Sequence, residues 1–316
     1  MRARIDLAQC PTPVERLERL SRREGIDLWV KRDDLTGLGL SGNKVRKLEF
    51  LLAEAVEQGV DTVITTGGLQ SNHCRATAVA CRRLGLHPVL LLRGERPDVA
   101  DANLLLDQLL GADVHTCSAD EYTHHRDERM ARIAAQLRDQ GKHPMIIPEG
   151  GSNALGTQGY IRAAQELSEQ VDAPFDAIVV AVGSGGTLAG LALGPDNGPL
   201  IGMAVCDDAA YFTDRVQGYV EQAQALGLGV SPSERPDWRV VDAYKGPAYA
   251  VAQPELWPVI ADVAQTEGLF LDPVYTGKAM LGLLTEVREA RLGGRILFWH
   301  TGGAFGLFGR GTELPR

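Results

Sequence analysis

Nothing constrains this chain more than its rhythm. Short apolar runs alternate with longer amphipathic stretches from end to end. Apolar runs this short, rich in β-branched residues and bounded by Gly, Pro or Asp, predict strands buried on both faces. LWVKR (28–32), DTVITTGG (61–68), PVLLLRG, ADVHTCS, PMIIPEGG, FDAIVVAVG, PLIGMAVC, WRVVDAY and RILFWHTGG fit that description. Between them, residues 43–59, 71–85, 119–140, 209–226 and 254–290, with NLLLDQLLG, LGTQGYIRAAQELSEQ and GTLAGLALG, carry apolar positions at helical spacing. Strands regularly separated by helices predict an α/β fold with open, twisted, mostly parallel sheets and helices on both faces.

The same rhythm shows where chemistry belongs. Gly67 and Gly68, Gly150 and Gly151, Gly183, Gly185 and Gly186, and Gly302 and Gly303 each follow a predicted strand. In open α/β sheets that edge is where ligands bind. Gly makes up 36 of 316 residues, above the usual share of about 7%, and these loops absorb much of the excess. Their exposed N–H groups suit an anion, phosphate above all. A net charge of −9 argues against a nucleic-acid partner. Five scattered cysteines without a CxxC pair predict reduced thiols and a cytoplasmic protein. No apolar run approaches the roughly 20 residues of a membrane span, and no secretion signal is expected.

Individual motifs divide unequally. Gly37, Gly39 and Gly42 spell G-x-G-x-x-G and would suggest a nicotinamide-dependent oxidoreductase, but Asp33–Thr36 separate them from the strand. Lys44 sits at the first turn of a predicted helix. The helix dipole disfavours a cation there and burial would depress its pKa, which suits a Schiff-base lysine as well as an ordinary solvated one is suited. Gly183, Ser184, Gly185, Gly186 and Thr187 follow the strongest strand and could wrap one phosphate. His124 and His125 belong to a solvated face and no metal is expected. His73 and His300 border Gly-rich loops and are left open between structural and site roles. Cys74 and Cys81 read as small buried hydrophobes.

Taken together, GNKVRKLE (42–49), TTGGLQSNHCRATA, IIPEGGSNALGTQGY, VGSGGTLAGLA, DPVYTGK (272–278) and LFWHTGGAFGLF resemble, in order, the pyridoxal-5′-phosphate enzymes comprising D-cysteine desulfhydrase and 1-aminocyclopropane-1-carboxylate deaminase. The resemblance implies the fold of the tryptophan synthase β subunit, with the active site between a large domain (1–47 and 156–316) and a small inserted one (48–155). It implies that Lys44 carries the cofactor and shuttles the Cα proton, with Asn43 and Lys47 supporting it. Ser71, Asn72 and His73 would bind the substrate carboxylate and the ring's phenolic oxygen. Residues 183–187 would hold the phosphate, Tyr249 and Tyr275 would face the substrate, and Thr301 would meet the pyridine nitrogen. Thr276 joins Thr301 as the desulfhydrase-like pair, where deaminases resemble DPVYEG and HLGG. A homodimer is expected.

The resulting expectation is a β-eliminating lyase acting on a small amino acid, D-cysteine first. Alternatives are D-serine, β-chloroalanine, cysteate, the cyclopropane acid, or a binding protein without turnover. Departures from the family pattern fall at Cys74, at Cys206–Asp208 and at Phe305.

Overall fold

In a computed structural model, residues 3–314 are described. The chain runs β1 (Val14–Arg16), α1 (Glu18–Glu24), β2 (Asp27–Arg32), α2 (Lys44–Glu57), β3 (Thr62–Gly68), α3 (Asn72–Arg83), β4 (His87–Arg93), α4 (Ala102–Leu109), β5 (Asp113–Cys117), α5 (Ala119–Asp139), β6 (Pro144–Ile146), α6 (Ala154–Gln170), β7 (Ala177–Val182), α7 (Gly186–Ala192), β8 (Leu200–Ala204), α8 (Ala209–Ala225), β9 (Trp238–Val241), α9 (Leu256–Glu267), α10 (Thr276–Arg288), β10 (Arg295–His300) and α11 (Phe305–Phe308).

The strands form two sheets. One has the order β1-β2-β10-β7-β8-β9, and the other β5-β4-β3-β6. Every pairing is parallel except β1 with β2. Parallel strands need helical crossovers, so both faces of each sheet are covered. Strand β7 shows the result. Ile178, Val180 and Val182 pack into a core built with α6, α7 and α8. Ala177, Val179 and Ala181 point the other way, into a core with α1, α9 and α10. In the smaller sheet, Val63 of β3 packs with α2 and α3 while Ile64 packs with α5.

Two expectations needed correction. The pattern over 254–290 is two helices. Gly268 ends α9 in the left-handed region, and Pro273 keeps the chain non-helical until Thr276. Residues 14–24 form β1 and α1, which periodicity did not reveal. Among the described residues, no helix is long and apolar enough to cross a membrane.

In the larger sheet β10 lies between β2 and β7, and the loops leaving β7 and β10 open at the same edge. The loop leaving β2 reaches that edge too, where Asn43 N donates to Thr301 O (3.0 Å). Three chain segments therefore converge before any side chain is considered.

Candidate active site

Lys44 is the first residue of α2. Gly42 explains how it reaches its place. This residue has φ +105°, and a Cβ there would lie 2.7 Å from Thr301 O. The loop presses flat against the end of β10. The G-x-G-x-x-G pattern thus serves a loop-to-strand contact, and the β2–α2 connection contains a 3-10 turn at Asp33–Leu35 where a dinucleotide fold has a tight turn.

A narrow slot beside Lys44 is lined by Asn43, Asn72, Gly183, Ser184, Gly185, Thr187, Tyr275, Thr301 and Gly302. Most of the residues expected to hold the cofactor are thus brought together. Asn43 Nδ2 donates to Thr187 Oγ1 (2.9 Å), tying the Lys44 loop to the loop after β7. Lys47 lies behind that loop. Its buried Nζ donates to Gly150 O (3.2 Å) and Ser152 Oγ (3.1 Å), and no carboxylate answers it. A Cβ on Gly186 would fall 2.5 Å from Ser152 Oγ and 2.9 Å from Lys47 Nζ, so only glycine lets this cradle close. Ser152 Oγ also pairs with Ser184 Oγ (2.9 Å).

The electrostatics are unusual. Burial pulls the Lys44 amine down to about 8, and the charge of Glu149 only partly opposes it. The expected depression is present, with burial as its cause. Lys47 is driven well below the ordinary lysine value, first by burial and then by Lys44. His73 is likewise held neutral, first by burial and then by both lysines. Thr65 Oγ1 donates to Ile147 O (2.8 Å), so its 2.8 Å contact with His73 Nε2 assigns the ring proton to Nε2. His73 Nδ1 is then a bare acceptor, buried with no partner. It calls for a hydrogen-bond donor.

A wider cavity of about 470 Å³ opens from Lys44 and is lined by Ser71, His73, Gly183, Ser184, Tyr249 and Tyr275 among others. The Tyr249 and Tyr275 hydroxyls are 2.7 Å apart. Burial raises Tyr249 to about 12 and Tyr275 well above the ordinary tyrosine value, so both stay protonated. Lys278, from the DPVYTGK motif, holds the segment before Tyr249. Its Nζ donates to the carbonyls of Val205 (2.9 Å), Lys245 (2.6 Å) and Ala248 (3.0 Å). Ser71 Oγ caps α3 by accepting from Cys74 N (3.2 Å) and still faces the cavity.

Thr276 lines neither space. It is fully buried, donating to Asp272 Oδ1 (2.7 Å) and accepting from Asp272 N (2.8 Å). Asp272 also accepts from Tyr275 N (3.0 Å), so Thr276 supports the turn that aims Tyr275. His300 is structural as well. Nδ1 accepts from Gly302 N (3.1 Å), so Nε2 donates to Phe270 O (3.0 Å). Of the departures, Cys206 and Asp207 line the cavity, Asp208 caps α8, Cys74 is buried beneath Gly67, and Phe305 lies under the Arg75 guanidinium.

Sequence reasoning missed Arg93, Tyr122, Arg126, Glu149 and Ser152. Glu149 accepts from Tyr122 OH (2.8 Å) and from Arg126 Nη1 (3.1 Å) on the cavity wall. Only the position of PEGGS after a strand could have pointed to Glu149 and Ser152.

Residues 5–302 match the family model described as "Pyridoxal-phosphate dependent enzyme". The chain belongs to that family. It is 46% identical to the "Bifunctional D-cysteine desulfhydrase/1-aminocyclopropane-1-carboxylate deaminase, mitochondrial" of Arabidopsis thaliana, covering 98% of this chain and 80% of that one. It is 41% identical to a D-cysteine desulfhydrase of Klebsiella pneumoniae (strain 342), covering 96% and 95%. A solved "ACC deaminase homologue" superposes with a TM-score of 0.89 at 40% identity, covering 99% and 95%. The tomato threonine deaminase isoform 2 shares the fold at a TM-score of 0.65. Family membership sets aside the nicotinamide reading.

The residues present fit pyridoxal phosphate. Lys44 offers a depressed amine at the slot. Lys47, buried without an acid, together with Ser184 and the glycine cradle suits a phosphate dianion.

Proposed function

We propose that the protein is a β-eliminating lyase of a small amino acid, with D-cysteine its substrate and pyruvate, ammonia and hydrogen sulfide its products. The observation that carries this reading is the conjunction of a Lys44 amine lowered to about 8 with two neutral phenols and the Ser71 and Asn72 side chains around the slot and the cavity that meet at Lys44. Bound pyridoxal phosphate supplies the electron sink for charge that develops at Cα. Ser71 and Asn72 hold the substrate carboxylate and orient the Cα–H bond toward Lys44 Nζ, which takes the proton. Of the Tyr249–Tyr275 pair, one hydroxyl donates to the other, leaving one O–H to meet the departing sulfur. Thr301 places a neutral hydroxyl on the slot wall, where a carboxylate would favour a protonated ring.

We assign residues 1–47 and 156–316 to the cofactor-holding domain and 48–155 to the inserted one. All four strands of the smaller sheet fall inside that interval. We further propose a homodimer in the cytoplasm. Five free cysteines support the compartment, and exposed Leu38 and Phe308 support a buried interface. Light scattering after gel filtration tests the dimer.

A deaminase reading has one argument, the bifunctional name of the plant relative. The deciding experiment assays the holoenzyme with D- and L-amino acids and the cyclopropane acid, measuring keto acid and sulfide. Sulfide with equimolar pyruvate from D-cysteine is expected. Keto acid from the cyclopropane acid, with no sulfide from D-cysteine, overturns the proposal.

A further inference from the structure

We propose that Asn103 is a positioning residue for this site. With Arg75 behind it, it fixes the Asn72 side-chain amide so that the nitrogen, not the oxygen, is left for an anionic oxygen in the slot. The inference rests on the part given to Asn72 above and names what aims it.

Asn103 is the second residue of α4 and has no solvent exposure. Its side chain is oriented twice over. Oδ1 accepts from Arg75 Nε (3.2 Å), and a guanidinium only donates. Nδ2 donates to Gln70 O (3.0 Å), and a carbonyl only accepts. The two ends of this amide are therefore not interchangeable. Asn103 Nδ2 also donates to Asn72 Oδ1 (3.1 Å). That contact sets the orientation of Asn72, the first residue of α3 and part of the slot wall. Among the described residues, nothing accepts from Asn72 Nδ2. With its oxygen held by Asn103, Asn72 keeps both N–H donors for whatever enters the slot.

Arg75 is fully buried and held by neutral acceptors. Besides Asn103 it reaches Gly39 O (2.6 Å) and Ser41 O (3.0 Å), in the loop that delivers Lys44, and its guanidinium lies over the Phe305 ring at 4.8 Å. Asp107, one turn along α4 from Asn103, would answer this charge only as a carboxylate. Both of its carboxyl oxygens are buried without a partner, and burial raises the group to about 8 against the pull of Arg75. At neutral pH no ion pair with Asp107 draws Arg75 away from Asn103.

The backbone serves the same end. Ala102, just before Asn103, has φ +44°, a conformation that an L side chain tolerates only where its surroundings over-determine it. Asn103 N donates to Gln70 Oε1 (2.9 Å), so main chain and side chain both tie α4 to the start of α3. Such a fixture matters because an amide fills the same space either way round. Its oxygen would repel the ring's phenolic oxygen or the substrate carboxylate, and its nitrogen binds either.

Asn103→Asp tests this with little change of shape. A carboxylate there still accepts from Arg75, now as an ion pair, but cannot donate. Asn72 must then turn its nitrogen toward residue 103 and its oxygen toward the slot. Thermal unfolding of the cofactor-free protein should stay near the wild-type midpoint. Fluorescence titration of pyridoxal phosphate into that protein reads the ring oxygen, and KM for D-cysteine reads the carboxylate. At least one should weaken about tenfold or more, the worth of a hydrogen bond to a charged group. In an Asn72→Ala background, Asn103→Asp should change neither quantity further, because no amide is left to turn. A third variant leaves Asn103 alone. Asn72→Asp keeps the acceptor for Asn103 Nδ2 but puts an oxygen at the slot, and should reproduce the loss. Wild-type affinity and KM in N103D or in N72D, or an equal loss from N103D with and without Asn72, overturns the proposal and spares the lyase reading. If the wild-type enzyme releases no keto acid from D-cysteine, the lyase reading falls and the titration alone decides this one.

Discussion

Two clusters of buried charge flank the start of α2, and they are built on opposite rules. On one side lies Asp33, with no solvent exposure. It accepts from Thr12 Oγ1 (2.8 Å), Arg46 Nη2 (2.8 Å), Tyr160 OH (2.6 Å) and Trp299 Nε1 (2.8 Å). Arg46 also reaches Glu166 with two bonds of 2.9 Å, and Lys31 joins that carboxylate. Burial alone would raise the Asp33 carboxyl, but Arg46 overcomes it and holds it at about 2. On the other side, Lys44, Lys47 and His73 are buried near one another, and among the described residues none of them has an ion pair with an acid, Glu149 acting on Lys44 only from a distance. Their proton affinities fall together. The first cluster is a closed structural joint between α2, α6, β2 and β10. The second is an unfinished one, completed by a dianion from outside. A buried charge that is fully paired marks architecture, and one left unpaired marks a site.

Removing the reacting member of the unfinished cluster has the largest effect. Lys44→Ala should lower turnover of D-cysteine by about 10³-fold or more, since it removes both the cofactor's anchor and the base. Sulfide release measures it, and thermal unfolding should show an intact fold. Turnover near the wild-type rate would remove Lys44 from the chemistry.

The paired cluster should respond in stability. Arg46→Met leaves the buried Asp33 without its guanidinium and Glu166 with Lys31 as its only cation, at a cost of about 3–5 kcal/mol. Urea unfolding of the cofactor-free protein reads it. In the same assay Lys47→Met should have the opposite sign, holding or raising stability because it deletes an unanswered buried cation. Its penalty appears in affinity for pyridoxal phosphate, expected to weaken about 10–100-fold by the worth of a charge-assisted contact. Fluorescence titration of cofactor into the two proteins decides whether the contrast is real. Equal destabilisation by both substitutions would abolish it.

Acid and alkali should separate the clusters too. The folded pKa of Asp33 is depressed, so its stabilisation is complete above its ordinary value of 3.8 and disappears as pH falls through about 2. The window corresponds to about 2 kcal/mol. Lys44 is also depressed, but it is a base, so the unfolded chain holds the proton more tightly. The cofactor-free fold should therefore gain stability as pH rises from about 8 toward 10.5. Asp33→Asn should flatten the acid limb, and Lys44→Met should remove its share of the alkaline one, to which the depressed Lys47 and Lys278 also contribute.

The contrast also explains what the sequence could show. Strands such as 177–182 were legible because burial on both faces leaves an unbroken apolar run. Lys44 was legible from its place at the start of a predicted helix, whereas Lys47 came only with the family resemblance. The 183–187 loop was legible because glycine at that density has few purposes. Asp33 gave no signal, since its partners come from residues 12, 46, 160 and 299 and only topology assembles them. Arg93 was hidden for the same reason, at the end of a strand in the other sheet. For β1 and α1, elements of three and seven residues present too few positions to show a period.

Thr276 and Thr301 bring the comparison to its smallest scale, because sequence treated them as one pair and the structure separates them. Thr301 faces the slot, while Thr276 belongs to the closed kind of cluster, with Asp272 as its hub. Valine at 276 keeps the shape and removes the hydroxyl. Asp272 N then loses its acceptor, and Asp272 keeps its contacts to the amides of Val274 (2.9 Å), Tyr275 (3.0 Å) and Thr276 (2.8 Å). Thr276→Val should therefore cost about 1–2 kcal/mol in urea unfolding, the price of one stranded buried donor. The visible spectrum of the holoenzyme should not move, because the turn that aims Tyr275 survives. Thr301→Leu should do the reverse, shifting the spectrum while leaving stability nearly unchanged. If Thr276→Val shifts the spectrum as strongly as Thr301→Leu, the two threonines act on the cofactor together and the separation drawn from Asp272 is wrong.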